Sequence, residues 1–370
     1  MKVPLLDLKA QYAPIKSQIM QAIEEVLDSC YFINGQAVKQ IEQAIAEYCD
    51  CGAAVGVSSG TDAILCSLMT LGIGAGDEVI TTPYTFFATL GCIARVGATP
   101  VFVDIDPDTF NIDASQIEAA VTDKTKAILP VHLYGQMADM DVIMAIAKKH
   151  KLYVIEDAAQ SIGSQYKGHK AGSIGTTGCF SFFPSKNLGT LGDGGMIVSQ
   201  DTTLAEKLTI CRNHGSQPKY YHKFVGGNFR LDTIHAAALL VKLPLLEKWS
   251  QMRRENAAKY DEHFAGVEAV RTPVIRTHNT TIFNQYVIRV NPDRRDALRT
   301  FLTEQGIGTE IYYPVSMHEQ ECFAYLGYKT GDFPNSEQAA ASSLALPIYS
   351  ELTDEQIAYV AGKVKEFCGK

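Results

Sequence analysis

The sequence predicts an α/β fold in which a mostly parallel β-sheet is covered by helices on both faces. Short apolar, β-branched runs alternate with helical patterns of ten or more residues, as parallel strands joined by crossover helices require. The chain has 370 residues, of which 46% are hydrophobic and 20% are charged, so a large buried core is available. This length exceeds that of one ordinary domain.

The predicted elements of the sheet follow one another along the first two-thirds of the chain. Two apolar helical patterns, 62–71 and 85–96, each follow a strand-like run. The predicted strands are 53–57, 78–81, 100–104, 127–131, 152–155, 179–182 and 196–198. Together these elements predict a large domain over residues 1–249.

The pattern changes after Trp249. A charged helix is predicted at 251–264, a strand at 285–290, a helix at 294–305 and a last helix from Thr353. This mixture predicts a smaller C-terminal α+β domain over residues 250–370, on which the N-terminal segment is a candidate to pack.

Charge and cysteine content exclude several classes of function. Thirty-three basic against 41 acidic residues give a net charge of −8, and without a basic patch we expect no nucleic-acid partner. The absence of a long apolar stretch or a signal sequence predicts no membrane span. The nine scattered cysteines indicate a reducing compartment, so a cytoplasmic location is expected. Cys49 and Cys51 are the only close pair and predict ordinary thiols rather than a metal site.

The loop that follows the first predicted strand carries a candidate anion site. It reads Ser58-Ser59-Gly60-Thr61-Asp62 and precedes a helix. Free N–H groups at a helix N-terminus bind phosphate, and glycine lets a ligand approach the backbone closely. The alternative is that these polar residues only cap the helix.

A second loop follows the strand that ends in Glu156 and Asp157. A buried aspartate requires a cation or a strong donor. The protonated ring nitrogen of pyridoxal 5′-phosphate (PLP) is one such partner. A helix cap or a metal ion is the alternative.

A third loop carries Lys186, just past an aromatic strand. A partly desolvated lysine amine is a Schiff-base nucleophile, whereas a solvated surface lysine is the plain alternative. Lys186 follows Asp157 by 29 residues, a spacing that suits a cofactor held at its ring nitrogen and at its aldehyde. Ser181 can offer a hydroxyl group to a phosphate, and Phe86 either stacks on the ring or packs in the core.

At these residues the sequence resembles the DegT/StrS-type sugar aminotransferases, which belong to the fold-type I PLP enzymes related to aspartate aminotransferase. The resemblance covers essentially the whole chain, and all the motifs occur in the family's order. The motifs are Leu5-Leu6-Asp7-Leu8, Ser59-Gly60-Thr61-Asp62-Ala63, Gly76-Asp77-Glu78-Val79-Ile80, 101–106, Pro130-Val131-His132-Leu133-Tyr134-Gly135-Gln136, Glu156-Asp157-Ala158-Ala159-Gln160-Ser161, Ser181-Phe182-Phe183-Pro184-Ser185-Lys186, Gly192-Asp193-Gly194-Gly195 and Asn228-Phe229-Arg230-Leu231-Asp232.

The resemblance implies a role for each cofactor-binding residue. Lys186 would form the Schiff base with PLP, Asp157 would bind the ring nitrogen, Gln160 the ring hydroxyl, and Phe86 would stack on the ring. Asn228 would reach the phosphate from the neighbouring subunit of a homodimer. The implied phosphate-binding group is Ser59, Gly60, Thr61 and Ser181. Family members that act as dehydratases lack this lysine, so its presence favours transamination.

The resemblance is closest to UDP-2-acetamido-2-deoxy-3-oxo-glucuronate aminotransferases, which implies an anionic nucleotide-sugar substrate. Arg230 could bind a carboxylate in a bidentate fork, with a structural salt bridge as the alternative. Tyr312 and Tyr313 match the segment that approaches the sugar, although the family often has histidine where Tyr312 stands. His235 replaces the family's common glutamine, and we interpret it as a packing or interface residue.

The predicted reaction transfers an amino group from glutamate to a 3-keto nucleotide-sugar for surface polysaccharide or O-antigen biosynthesis. A dTDP-3-keto-6-deoxyhexose and a 4-keto sugar are alternative substrates. A PLP-fold regulator without turnover is an alternative of another class. A dinucleotide-binding oxidoreductase is disfavoured because the first βα turn lacks the G-x-G-x-x-G pattern.

Overall fold

The computed structural model describes residues 1–369. Its α-helices are α1 Leu8–Tyr12, α2 Lys16–Ser29, α3 Gln36–Tyr48, α4 Gly60–Thr70, α5 Phe87–Arg95, α6 Met140–His150, α7 Thr202–Cys211, α8 Thr233–Lys242, α9 Leu246–Phe264, α10 Pro292–Glu304, α11 Pro334–Ser342 and α12 Asp354–Cys368. Its strands are β1 Ala53–Val57, β2 Glu78–Thr81, β3 Thr99–Phe102, β4 Thr125–Ile128, β5 Tyr153–Asp157, β6 Gln165–Tyr166, β7 His169–Lys170, β8 Thr177–Ser181, β9 Gly195–Ser199, β10 Asn279–Thr280, β11 Tyr286–Arg289 and β12 Ser343–Leu346.

Seven strands form the central sheet, in the order β1-β9-β8-β5-β4-β2-β3. Neighbouring strands pair in parallel from β3 to β8, whereas β9 runs antiparallel to both β8 and β1. The prediction of a mostly parallel sheet is confirmed, and β9 runs in the direction opposite to the other six strands of this sheet.

The sheet strands are buried on both faces, as their continuous apolar sequences require. Adjacent residues of one strand enter opposite cores because side chains alternate along it. Val79 of β2 belongs to the core cluster that includes residues of α4 and α5, whereas Ile80 belongs to the cluster on the other face, which includes residues of α3 and α6. The same alternation occurs on β5, where Val154 and Ile155 belong to the core clusters on opposite faces of the sheet. Two layers of helices therefore sandwich the sheet.

The predicted strands all form, with ends that differ by up to three residues. The helix predicted from residue 62 begins at Gly60, because the side chain of Ser59 caps it by accepting a hydrogen bond from the N–H of Asp62 at 3.0 Å. The helix predicted from residue 85 begins at Phe87, after the extended residue Phe86. Both helices therefore start at the carboxyl edge of the sheet.

The C-terminal part has its own apolar core, built around the antiparallel pair β11–β12 and α9, α10 and α12. The N-terminal segment joins this part, since the N–H of Val3 donates to the carbonyl of Gly306 at 2.9 Å. Helix α9 runs through the predicted boundary between residues 249 and 250, and the two-domain division stays a prediction. Within residues 1–369, no helix is both long and apolar enough to cross a bilayer.

Candidate active site

A cavity of about 510 Å³ opens at the carboxyl edge of the sheet, where loops that follow parallel strands converge. Three of these loops come from β1, β5 and β8, which explains how residues far apart in sequence meet there. Of the twelve predicted site residues, ten line this cavity: Ser59, Gly60, Thr61, Phe86, Asp157, Gln160, Ser181, Lys186, Tyr312 and Tyr313.

One end of the cavity is the N-terminus of α4. The backbone N–H groups of Gly60 and Thr61 form no hydrogen bond with residues 1–369, so both are free to bind an anion. A Cβ atom at Gly60 would lie 2.7 Å from the Cβ of Ser181. Glycine is therefore required for the α4 terminus and the end of β8 to form one cradle of donors.

Asp157 ends β5 and is only 5% exposed. Its Oδ2 accepts a hydrogen bond from the hydroxyl of Thr89 at 2.7 Å, and its Oδ1 accepts one from the N–H of Ala159 at 3.2 Å. Burial raises the pKa of Asp157, while these donors and the charge of Lys186 act to lower it. The carboxylate keeps free lone pairs for a protonated heterocyclic nitrogen.

Lys186 lies in the loop after β8, whose turn is closed by its own N–H donating to the carbonyl of Phe183 at 2.9 Å. Burial lowers the pKa of its ammonium group to about 8, although the charge of Asp157 acts to raise it. Among residues 1–369, nothing forms a hydrogen bond or ion pair with Nζ. Such an amine is neutral often enough near pH 7 to act as a nucleophile.

The middle of the cavity lies between Phe86, Gln160 and Tyr313. The ring of Phe86 is 56% exposed, and its centroid lies 5.9 Å from that of Tyr313. The side chain of Gln160 is fixed at both ends: Oε1 accepts from the N–H of Tyr134 at 2.7 Å, and Nε2 donates to the Tyr313 hydroxyl at 3.1 Å. A planar ring can therefore meet an aromatic face and a fixed amide.

Asn228 and Arg230 do not line the cavity of their own chain. Their segment runs beside β1, where the carbonyl of Phe229 accepts from the N–H of Ser58 at 2.9 Å. The side chain of Asn228 is exposed, and Nε of Arg230 is buried without a partner among residues 1–369. The roles of both residues stay predictions.

The structure places four further polar residues on the cavity wall: Thr85, Ser185, Asp193 and Gln285. Ser185 and Asp193 lie inside two motifs that the resemblance rests on, and this was the available signal. Thr85 follows a strand like the other loop residues. Gln285 comes from the C-terminal part, and no local pattern marks it.

His235 packs against the loop that follows Lys186. A Cβ atom at Gly192 would lie 3.2 Å from the His235 ring, and the Thr190 hydroxyl donates to the carbonyl of His235 at 3.0 Å. The interpretation of His235 as a packing residue agrees with these contacts.

The residues of the cavity fit PLP. The N–H groups of Gly60 and Thr61 suit its phosphate, the amine of Lys186, whose pKa is lowered, suits its aldehyde, and the buried Asp157 suits its ring nitrogen. A cavity of this size is adequate for the cofactor together with part of a substrate.

The model of the DegT/DnrJ/EryC1/StrS aminotransferase family matches residues 14–365. Among similar proteins, the "Pleiotropic regulatory protein" of Geobacillus stearothermophilus is 54% identical and is matched over 99% of both chains. The UDP-N-acetyl-3-dehydro-α-D-glucosamine 3-aminotransferase of Acidithiobacillus ferrooxidans is 44% identical, with 98% of this chain and 97% of that protein covered. The UDP-2-acetamido-2-deoxy-3-oxo-D-glucuronate aminotransferase of Pseudomonas aeruginosa is 41% identical, with 96% and 97% covered.

The fold also matches solved structures. The crystal structure of DesV from S. venezuelae, in complex with a ketimine intermediate, superimposes with a TM-score of 0.97 at 40% sequence identity. The match covers 100% of this chain and 99% of that one.

Proposed function

This chain belongs to the DegT/DnrJ/EryC1/StrS aminotransferase family and is a PLP-dependent sugar aminotransferase, and we propose that it aminates a 3-keto nucleotide-sugar with glutamate as donor. The observation that carries this proposal is the arrangement of Lys186, the buried Asp157 and the α4 N-terminus around one cavity. Each of the three suits a different part of the cofactor.

PLP, when bound, carries the amino group between the two substrates and withdraws electrons from the bond that breaks. Lys186 moves protons: as a neutral amine its Nζ accepts the α proton of glutamate, and as an ammonium it returns a proton in the reverse direction to the sugar. Asp157, as a carboxylate, accepts a hydrogen bond from the ring nitrogen and keeps that nitrogen protonated. One water supplies the keto oxygen when glutamate gives up its amino group and leaves as 2-oxoglutarate, and the ketone oxygen of the sugar leaves as water in the second half of the reaction.

Substitution of Lys186 tests the assignment directly. Lys186→Ala is expected to lower turnover by at least a thousandfold, since both the covalent attachment and the proton carrier are lost. Lys148→Ala, which removes an exposed lysine of α6, is the matched control and should leave turnover unchanged. A Lys186→Ala enzyme with wild-type turnover and an unchanged visible cofactor band would show that the assignment is wrong.

For the substrate we propose a UDP-2-acetamido-3-keto sugar, with the 3-oxo-glucuronate as its first candidate. The names of the Acidithiobacillus and Pseudomonas relatives, which differ in the oxidation state of C6, support this class. A dTDP-3-keto-6-deoxyhexose is the alternative that the name of another relative supports, and a 4-keto sugar is a further one. A panel of 3-keto and 4-keto UDP- and dTDP-sugars with glutamate, analysed by mass spectrometry for the amino product, discriminates among them.

We further propose that the enzyme is a homodimer in which Asn228 binds the cofactor phosphate of the neighbouring subunit. Its side chain is exposed and lies outside the cavity of its own chain, which supports a role in another copy. Arg230 is proposed to bind the uronate carboxylate there. If it does, Arg230→Gln should raise the KM for a uronate sugar much more than for its C6-alcohol counterpart.

A regulatory role without turnover is the second candidate, because the relative at 54% identity is named a pleiotropic regulatory protein. The lowered pKa of Lys186 favours the enzyme, since a regulator needs no nucleophilic amine. An assay for 2-oxoglutarate decides between the enzyme and the regulator. If 2-oxoglutarate forms from glutamate only when the ketosugar is present, the protein is an enzyme. If the protein binds PLP but forms no 2-oxoglutarate with any ketosugar, the result would support the regulator.

A further inference from the structure

Helix α5 contacts three parts of the active site through residues one turn apart. Phe86, which precedes its first residue, exposes its ring at the cavity. Thr89 donates to Asp157, and the thiol of Cys92 donates to the carbonyl of Thr61 at 3.2 Å. A spacing of three residues brings all three side chains to one face of the helix.

We propose that Thr89 is a positioning residue that fixes the orientation and ionisation of Asp157, through a hydrogen-bonded chain that begins with Thr85 at the cavity wall. This inference rests on the proposed role of Asp157 toward the ring nitrogen. The hydroxyls of Thr85 and Thr89 lie 2.8 Å apart, and that of Thr89 lies 2.7 Å from Oδ2 of Asp157. Thr89 is completely buried.

The direction of the chain follows from what each group can donate. An ionised carboxylate only accepts, so the single proton of the Thr89 hydroxyl points to Asp157. The Thr89 oxygen then accepts from the Thr85 hydroxyl. Each link polarises the next, so Thr85 strengthens the bond that Thr89 donates. The chain occupies Oδ2 and leaves Oδ1 with one longer bond, from Ala159 at 3.2 Å.

Because a hydrogen bond to the ionised form favours that form, Thr89 opposes the effect of burial on Asp157. A protonated Asp157 cannot hold the ring nitrogen cationic. Asp157 also interacts electrostatically with titratable groups on the elements packed around it. These groups are Lys186, His132, Tyr313, Cys92 and Cys179. Among them only the lysine and the histidine favour its ionised form.

The plain alternative is that Thr89 only fills space between α5 and the sheet. Thr89→Val keeps the volume and removes the hydroxyl, whereas Thr89→Ser keeps the hydroxyl and removes a methyl group. The two variants therefore separate the hydrogen bond from packing. Thr177→Val is the matched control, because the Thr177 hydroxyl is equally buried but has no partner among residues 1–369.

The experiment measures cofactor binding and pH dependence in the purified enzyme. For Thr89→Val we expect the Kd of PLP, measured by equilibrium dialysis of the apoenzyme, to rise roughly tenfold. The acid limb of kcat/KM should move to higher pH by about one unit, since Asp157 then protonates more readily. Thr89→Ser and Thr177→Val should stay within about twofold of wild type in Kd, without a shift of that limb.

Two outcomes overturn the inference. One is a Thr89→Val enzyme with the Kd and acid limb of wild type, and the other is a Thr89→Ser enzyme as impaired as Thr89→Val. Asp157→Asn, measured in parallel, separates this failure from that of the proposed function. If Asp157→Asn is active and binds PLP normally, the proposed role of Asp157 is wrong; if it is impaired while Thr89→Val is normal, only the role of Thr89 is wrong.

Discussion

The protonation state of Lys186 depends on burial and on Asp157, and these act in opposite directions. Burial lowers the pKa to about 8, and the buried carboxylate limits that decrease. The sequence could predict both residues, because Asp157 lies at the end of an apolar strand and Lys186 lies in the loop that follows another. It could not predict Thr89, because a threonine inside an apolar helical pattern has no local feature that distinguishes a hydrogen bond from packing.

The reactivity of Lys186 in the apoenzyme should have a midpoint near pH 8. Only the neutral amine is acylated, so trace labelling with acetic anhydride should increase through that pH. An unstructured lysine peptide added to the same samples is the reference, because the amine of a free lysine titrates at about pH 10. Parallel labelling profiles for Lys186 and this peptide would contradict the proposed desolvation of Lys186.

A second lysine with a lowered pKa, Lys242, is buried beside the same loop. Its ammonium donates to the carbonyl of Gly189 and to the hydroxyl of Tyr12, and burial lowers its pKa to about 8. The unfolded chain therefore binds more protons than the folded one between about pH 8 and 10.5, so this group favours folding increasingly as the pH rises there.

Lys242→Met should remove that pH dependence. The free energy of unfolding of the wild type, measured by urea denaturation, is expected to rise relative to that of Lys242→Met between pH 8 and 10. Below pH 7 Lys242 is protonated in both the folded and the unfolded wild type, so the difference in the free energy of unfolding between the two proteins should not change with pH. A difference that decreases above pH 8 would contradict the direction of the pKa shift.

At the scale of elements, the strands could be predicted because buried parallel strands are short apolar runs with turns at both ends. The reversed direction of β9 could not, since a strand buried on both faces shows the same pattern in either direction. The observed helix starts differ from the predicted ones because N-terminal capping determines where a helix begins. The side chain of Ser59 caps α4, which therefore begins two residues before its predicted start.

The close approach of α4 and β8 should make Gly60→Ala costly. The added Cβ would lie 2.7 Å from the Cβ of Ser181, so the loops must separate and the phosphate donors move. We expect a loss of about 1–3 kcal/mol in the free energy of unfolding and roughly tenfold weaker PLP binding.

The matched control is Gly362→Ala on α12, where the added Cβ has open space within 4 Å. In a helix this change should stabilise the protein by about 0.5–1 kcal/mol and leave PLP binding unchanged. If Gly60→Ala behaves in the same way, the α4 terminus does not form the phosphate cradle.

At the scale of the whole molecule, one chain brings together ten of the twelve predicted site residues but not Asn228 or Arg230. Local sequence patterns predict which residues of one chain lie together at the edge of the sheet. They do not show whether a loop contributes to the active site of its own chain or to that of a neighbouring copy. For Asn228, only the family resemblance implies a position in the neighbouring subunit's site.

Mixed dimers test that placement. Lys186→Ala and Asn228→Ala are each expected to be poorly active alone. When the two are unfolded together and refolded, half of the dimers are mixed, and each mixed dimer has one intact site if Asn228 acts in trans. Recovery of about a quarter of wild-type activity is expected. If Asn228 acts in cis, the mixture should be no more active than the average of its parents.

The position of β9 has a consequence for the nascent chain on the ribosome. β1 is complete at Val57, yet β9, the strand with which it pairs in the large sheet, begins at Gly195. The apolar edge strand β1 therefore stays without this partner until most of the large α/β part has been translated. Chains that stop before residue 195 expose this edge, and we expect them to be the aggregation-prone products of interrupted synthesis.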